Sequence, residues 1–479
     1  MRTEHDSIGT HSIPDDAYYG IHTARAIENF PICGEQTSLE LVRGLIEVKL
    51  AAAKTNLAAG ELNPEVGQAI INAAQDLLKH DLNPKDFPTC AIQGGAGTST
   101  NMNVNEVLAN YSLEKAGHNK GDYQFIHPND HINCGQSTND AYPTAGKIAL
   151  VRMLDELFTA LSQLDKSLTA KGLEFSKTYK LGRTQLQDAV PMTLGNSFHS
   201  WQAPLRRDLK RLKETQKELE VINLGGSAIG SAINASAYYE NHIVEELAAV
   251  TGLPLRQAPD LFDATVNLDG FLSLSSRLKS LAINLSKMAN DLRLMSSGPR
   301  SGLNEIHLPA KQAGSSIMPG KVNPVIPEVV NQVAFEMMGF DTTISAAAEA
   351  GQFELNAFEP IIFKSLFAGI KHLTAAIETL RVNAIDGITA NKKQLKEDLE
   401  HSVAYATAMV PILGYQDASD LAKEAIKSGK SLKELVTERQ LFTPEQMEKI
   451  FDVETLVINQ RSANHGLIFN TKIEKDPNH

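Results

Sequence analysis

Cysteine is almost missing from this sequence of 479 residues: Cys33, Cys90 and Cys134 stand far apart, without the C-x-x-C spacing of a zinc or redox motif. That excludes a disulfide framework, fits a reducing compartment and leaves the three thiols expected to be inert. No run of about 18 apolar residues occurs, which argues against a membrane span. No cluster of Lys and Arg occurs either, and the net charge of −12 is spread along the chain. A nucleic-acid surface is therefore not expected, although a local pocket can be positive on an acidic protein. The opening residues Met1-Arg2-Thr3-Glu4-His5-Asp6 lack the apolar stretch of a signal peptide, so a cytoplasmic location is expected. There is no phosphate-cradling loop, no dinucleotide fingerprint and no metal-ligand spacing, and the expectation is no cofactor and no metal. Alternating Val/Ile/Thr runs are few and no hairpin dipeptides separate them. The fold class expected is all-α.

What the sequence does contain is helical periodicity. From Ser38 to Leu78 apolar residues recur at helical spacing, including Leu41, Leu45, Val48 and Leu50, until Asn83-Pro84-Lys85-Asp86-Phe87-Pro88 breaks the pattern. The small, glycine-rich stretch Gly94–Asn101 reads as a loop feeding a helix that starts near Asn103. Long amphipathic helices dominate from about residue 141: Leu150, Leu154, Leu157, Leu161, Leu164 and Leu168 mark one, and Ile362, Leu366, Ile370, Leu373, Ile377 and Leu380 another. Between them Phe271, Leu274, Leu278, Leu281, Leu285, Met288, Leu292 and Met295 alternate steps of three and four, a coiled-coil-like seam. Helices this long must pack together as a bundle. A seam of that length suggests contact between subunits, with an intramolecular core helix as the alternative. Three domains are expected: a mostly helical one over 1–140, a long-helix bundle over 141–394, and a small helical one over 395–479.

The most informative segment for chemistry is Gly314-Ser315-Ser316-Ile317-Met318-Pro319-Gly320-Lys321-Val322-Asn323-Pro324. A loop of this content offers free backbone N–H groups, small hydroxyls and a cation, which is what a developing anion needs. Ser, Gly, Pro and Asn also dominate ordinary turns, so composition alone leaves both readings open.

The string itself resembles the GSSxxPxKxNP signature of the fumarase/aspartase superfamily. Gly97–Asn103, Gln136–Asp140 and Gly182–Ala189 match its other active-site segments in order, and Asp16–Gly20, Gly414-Tyr415 and Ala422–Ala425 extend the match over nearly the whole chain. The resemblance implies a homotetramer whose central helices form a 20-helix bundle, with each active site shared between subunits. It also implies abstraction of a proton next to a carboxylate through a doubly charged aci-carboxylate intermediate, then loss of a leaving group from the neighbouring carbon. By residue matching, Ser315 is the expected base. Thr98, Ser137, Thr138, Thr184, Ser316, Lys321 and Asn323 are expected carboxylate ligands, and Asn139 is the expected ligand of an amino group.

Within the family, fumarases carry a histidine after Gly-Arg-Thr, paired with a glutamate at the position of Glu328; here the residue is Gln185, which cannot titrate near neutral pH. Hydroxide leaves only with proton management, whereas an ammonium group departs as neutral ammonia. Gln185 is therefore placed among the substrate-binding residues, and the expected substrates are L-aspartate, fumarate and ammonia. The runner-up is a class II fumarase acting on L-malate, favoured by His127-Pro128-Asn129-Asp130, which resembles a second anion site of fumarases but is read as a surface loop with a structural histidine. A third reading is a non-catalytic helical-bundle protein of the same fold, against which the intact Ser315, Lys321, Asn323, Thr98 and Thr184 stand. Arg25 and Glu328 are ranked lower, as supporting residues.

Overall fold

In the computed structural model, which describes residues 1–457, helices account for almost all regular structure. The expected segment 395–479 therefore lies partly outside the described residues. The chain divides into two compact units, one of residues 1–162, 206–286 and 330–378, the other of residues 163–205, 287–329 and 379 onward.

The first unit opens with an antiparallel hairpin, β1 (Arg2–Asp6) and β2 (Gly9–Ile13), followed by α1 (Ile21–Asn29), α2 (Leu39–Ala59), α3 (Pro64–Lys79) and α4 (Thr98–Lys115). Local chemistry sets their ends. The Ser38 side chain accepts from Glu40 N–H at the start of α2, which stops at Gly60 with φ +78°; Asn63 caps α3 with Pro64 in its first position. The start of α1 is secured by Glu106 of α4, a fully buried carboxylate that accepts the N–H groups of Gly20 and His22, each at 2.8 Å.

Five long helices follow: α5 (Thr138–Glu174), α6 (Leu194–Leu219), α10 (Asp269–Met295), α11 (Val325–Glu349) and α12 (Glu359–Asn383). Between α6 and α10 lie a single turn, α7 (Ser227–Gly230), and two shorter helices, α8 (Ala237–Thr251) and α9 (Leu261–Val266). In the first unit Phe363 of α12 packs edge-on against Tyr142 of α5 and Phe271 of α10. Asp341 of α11 accepts from Ser275 of α10 at 2.7 Å, and Asp208 of α6 from Asn284 of α10 at 2.6 Å.

The α10 seam corrects one expectation. All eight residues from Phe271 to Met295 are buried inside a single chain, so the heptad serves the intramolecular core, and its periodicity reports helix packing without saying which chain supplies the partner. What α10 leaves exposed is a different stripe: Leu272, Ile283 and Leu294 recur every eleven residues and are 38–45% exposed. On α11, Phe335 is 61% exposed. The apolar α12 is long enough to cross a membrane, but Ile362, Phe363, Leu366, Ile370, Leu373, Ile377 and Leu380 are all buried.

The second unit holds a hairpin absent from the sequence reading, β3 (Tyr179–Thr184) and β4 (Gln187–Thr193), whose two-residue turn is Gln185-Leu186 with φ +52° and +64°. Such a turn ordinarily uses Asn-Gly or Asp-Gly, which is why no dipeptide announced it. Leu181 of β3 packs into the core formed by α13 (Lys392–His401), α14 (Ala406–Leu413), α15 (Tyr415–Ser428), α16 (Leu432–Glu438) and α17 (Pro444–Phe451), with Tyr405, Met409, Leu421, Leu435 and Ile450 at its centre.

Candidate functional site

The first unit brings four of the expected residues together. Gly97, with φ +89°, precedes α4, and a Cβ there would lie 2.6 Å from the Tyr142 ring, so only glycine admits this approach of α4 to α5. Helix α4 then starts at Thr98, earlier than the Asn103 expected, because the αL glycine ends the loop at that point. Thr98 is exposed on the first turn. One turn on, buried Asn101 donates to Thr138 Oγ1 at 3.2 Å.

Ser137 to Asp140 start α5 as a reciprocal cap: Ser137 Oγ accepts Asn139 N–H at 3.0 Å while Asp140 Oδ1 accepts Ser137 N–H at 2.9 Å. Capping is the ordinary role of such a serine. Here it has a chemical consequence, because the oxygens of Ser137 and Thr138 already accept hydrogen bonds and their protons remain to be donated to an anion. Asn139 Nδ2 donates to the Ala228 carbonyl at 2.7 Å. A carbonyl can only accept, so the amide nitrogen must face it, and Asn139 Oδ1 is turned the other way, as an acceptor for a cationic group.

Three contributors here escaped the sequence reading. Asp140 is fully buried, and its Oδ2 accepts from Gly225 N–H at 3.1 Å and Ser227 N–H at 3.3 Å. Burial pushes its carboxyl up, against the pull of these N–H groups and of Lys49. The Gly225–Asn234 segment that it holds contains four non-glycine residues at positive φ: Ser227 (42°), Ala228 (52°), Ala232 (54°) and Asn234 (63°). Strained backbone of this density persists only where the surroundings impose it, and it gathers at functional sites. Behind both lies Lys49 of α2, wholly buried and donating to Asn133 Oδ1 at 2.8 Å and Gln136 Oε1 at 2.9 Å. Burial pushes its ammonium down to about 7, with Asp140 opposing. The signals available were a lysine in the apolar stripe of α2 and the small-residue string Gly225-Gly226-Ser227-Ala228.

In the second unit, Gly314 to Pro324 is a closed loop without regular structure. Gly314 N–H donates to Lys321 O at 2.7 Å and Asn323 Nδ2 to Gly314 O at 2.7 Å; a Cβ on Gly314 would meet Lys321 O at 2.7 Å. Ser315 Oγ receives two backbone N–H groups, from Ile317 at 3.2 Å and Met318 at 3.0 Å. Ser316 and Lys321 are exposed, and among the described residues the Lys321 ammonium has no ion-pair partner. Asn323 keeps one N–H free after closing the loop.

Thr184 and Gln185 sit exposed at the β3–β4 tip, and among the described residues no hydrogen bond joins their side chains to the other candidates. The hairpin is braced along β3, where fully buried Glu305 pairs with Arg183 and, at 3.0 Å, with Lys180. The lower-ranked residues are placed as follows. The Arg25 guanidinium is bound to Asp6 at 2.8 Å and, with burial opposing, holds that carboxyl down at about 2. Glu328 lies in the first turn of α11. His127 caps a short turn, its Nδ1 accepting from Asn129 and Asp130 N–H.

Residues 9–339 match the family model described as lyase, and residues 406–457 the one described as the fumarase C C-terminus. The chain is 49% identical over 459 residues to aspartate ammonia-lyase of Pseudomonas aeruginosa, covering 95% of this chain and 97% of that one. It is 47% identical to aspartate ammonia-lyase of Escherichia coli, covering 95% and 96%. Among solved structures it is similar to a fumarate lyase:delta crystallin from Brucella melitensis bound to cobalt (TM-score 0.91, 46% identity, 95% and 98% covered). It is also similar to a class II fumarase from Schistosoma mansoni (TM-score 0.89, 32% identity, 94% and 99% covered).

Proposed function

The chain belongs to the fumarase/aspartase family of lyases, and from that premise we propose that it eliminates ammonia from L-aspartate to give fumarate. The observation that carries the chemistry is the pair of N–H groups aimed at Ser315 Oγ. The same two hydrogen bonds that make an ordinary serine turn stabilise an alkoxide. As the base, Ser315 takes a proton from Cβ, and the adjacent carboxylate gains a second negative charge. Thr98, Ser137, Thr138, Thr184, Gln185, Ser316, Lys321 and Asn323 supply donors to the substrate carboxylates. Each donor preorganised toward such an anion is worth about 2.7–4 kcal/mol in the transition state. The outward Oδ1 of Asn139 receives the amino group, which leaves Cα as ammonia, and a neutral glutamine at 185 suits a leaving group that needs no added proton.

These residues belong to a homotetramer with active sites shared between subunits. Support comes from the exposed stripe Leu272, Ile283 and Leu294, with Phe335 on α11, apolar surface that a partner helix would cover. Light scattering is expected to find a particle of four 52.1-kDa chains; a monomer at working concentration overturns this part. The activity is tested by supplying L-aspartate and L-malate in parallel. Fumarate and ammonium are expected from aspartate, with little turnover of malate, and equal or greater malate turnover would replace the reading with a fumarase.

A further inference from the structure

The thiols look inert in the sequence because 57 positions separate Cys33 from Cys90, but the fold places their sulfurs 3.3 Å apart. The chain after α1 runs beside the chain before α4: Thr37 N–H donates to Thr89 O at 2.8 Å, Ala91 N–H to Glu35 O at 3.0 Å, and Gln36 and Cys90 pair as an antiparallel bridge. A formed disulfide needs about 2.05 Å between sulfurs, so an approach of little more than an ångström closes the gap. Both thiols are partly exposed. Burial pushes the Cys90 thiol up, but hydrogen bonds from the Cys33 and Ile92 backbone and from the Cys33 thiol outweigh it and hold Cys90 below its ordinary value. Burial pushes the third thiol, Cys134, up. A reachable thiol of lowered pKa beside a second thiol is the arrangement of a redox-reactive pair.

We propose that Cys33 and Cys90 are a site of thiol–disulfide exchange with small disulfides of the glutathione class. The Cys90 thiolate attacks one sulfur of the reagent and expels the other as a thiolate. The Cys33 thiolate then attacks the Cys90 sulfur of the mixed disulfide, forming the Cys33–Cys90 bond and releasing the second small thiol. The two protein thiols lose two electrons, the reagent gains them, and the two protons leave on the released thiols. The bond braces the segment on which α4 starts, since Gln93 Nε2 donates to the Cys90 carbonyl at 2.6 Å and also bonds Thr100, two residues past Thr98.

The test treats the full-length protein with oxidised glutathione, blocks remaining thiols with N-ethylmaleimide under denaturing conditions, and counts labels by intact mass. Three labels before oxidation and one after are expected, restored to three by dithiothreitol, with a Cys33–Cys90 peptide in the non-reducing digest. The oxidised protein gains on the order of 5 °C in Tm, because the bond restricts the unfolded chain, and Cys33→Ser abolishes the linked peptide and the gain and, in that variant alone, leaves Cys90 trapped as the mixed disulfide with glutathione. Three labels retained after oxidation, stable glutathione adducts without the linked peptide, or a crosslink through Cys134 would each overturn the proposal.

Discussion

Replacing Ser315 by alanine separates chemistry from folding in this protein. A serine hydroxyl is protonated at neutral pH, and hydrogen bonds to a charged group contribute about 1.5–3 kcal/mol each. The N–H groups of Ile317 and Met318, at 3.2 and 3.0 Å, therefore favour the alkoxide by about 3–6 kcal/mol. At 1.36 kcal/mol per tenfold, that is roughly 10²–10⁴ in its population. Ser315→Ala removes the acceptor of this charge along with the proposed base. Ile317 and Met318 are exposed, so water takes over both N–H groups, and the change should shift Tm by no more than about a degree. The expected kcat for fumarate release falls by at least about 10², while KM for L-aspartate stays within a few-fold because Ser315 holds no substrate charge in the ground state. Initial rates followed by fumarate absorbance, melting curves and light scattering make the comparison. A variant within tenfold of the parent kcat, with the same assembly, would remove Ser315 from the base role; a collapse of Tm along with kcat would show that the loop is structural.

Asn139→Leu deletes the outward Oδ1 and should raise KM for L-aspartate at least tenfold while leaving the inhibition constant of succinate, which has no amine, within about threefold; equal losses for both ligands contradict an amine-binding role. Asp140→Asn cannot accept from Ser137, Gly225 and Ser227 together, since either orientation of the amide sets an NH₂ against at least one of these backbone donors. One buried N–H left unpaired costs about 1–3 kcal/mol, visible as a lowered urea midpoint, and an unchanged midpoint refutes the clamp. Lys49 titrates at about 7 in the folded chain against an ordinary 10.5. The unfolded chain therefore binds more protons between these values, and stability should rise with pH from about 7 towards 10.5. The rise in urea midpoint from pH 7 to pH 9 is expected to be larger in the parent than in Lys49→Met, and parallel midpoints would show that Lys49 is already accommodated as a cation.

What the sequence makes legible follows from how local the physics is. Long helices are readable because their buried faces repeat every three to four residues, and the Ser315 loop because Gly314 and Gly320 are needed where the chain turns on itself, one against Lys321 O and the other at φ +78°. The β3–β4 hairpin is not readable: its turn uses Gln185 and Leu186 at positive φ, a conformation imposed from outside, by packing of Leu181 in the C-terminal helical core and by the buried pairing of Glu305 with Arg183 and Lys180. Asp140 is hidden for the opposite reason. Its local role as a helix cap is obvious, and only the fold shows that the same carboxylate carries the Gly225–Asn234 segment.

The seam on α10 shows where periodicity stops being informative. A heptad states that one face of a helix is buried, and the energetics are the same whether the covering side chains belong to this chain or another. Its eight residues are buried within one chain, so an argument for assembly must come from what stays exposed once that core is complete. Leu272, Ile283 and Leu294 meet that condition, and because they lie about three turns apart on one flank, a charge placed centrally should act on assembly while leaving the core seam untouched. Ile283→Glu is accordingly expected to dissociate the proposed tetramer without unfolding the chain, and to lower activity in proportion to dissociation if the sites are shared. Full activity in a dissociated variant would leave the assembly but remove the sharing. A variant that stays tetrameric would move the interface off this stripe.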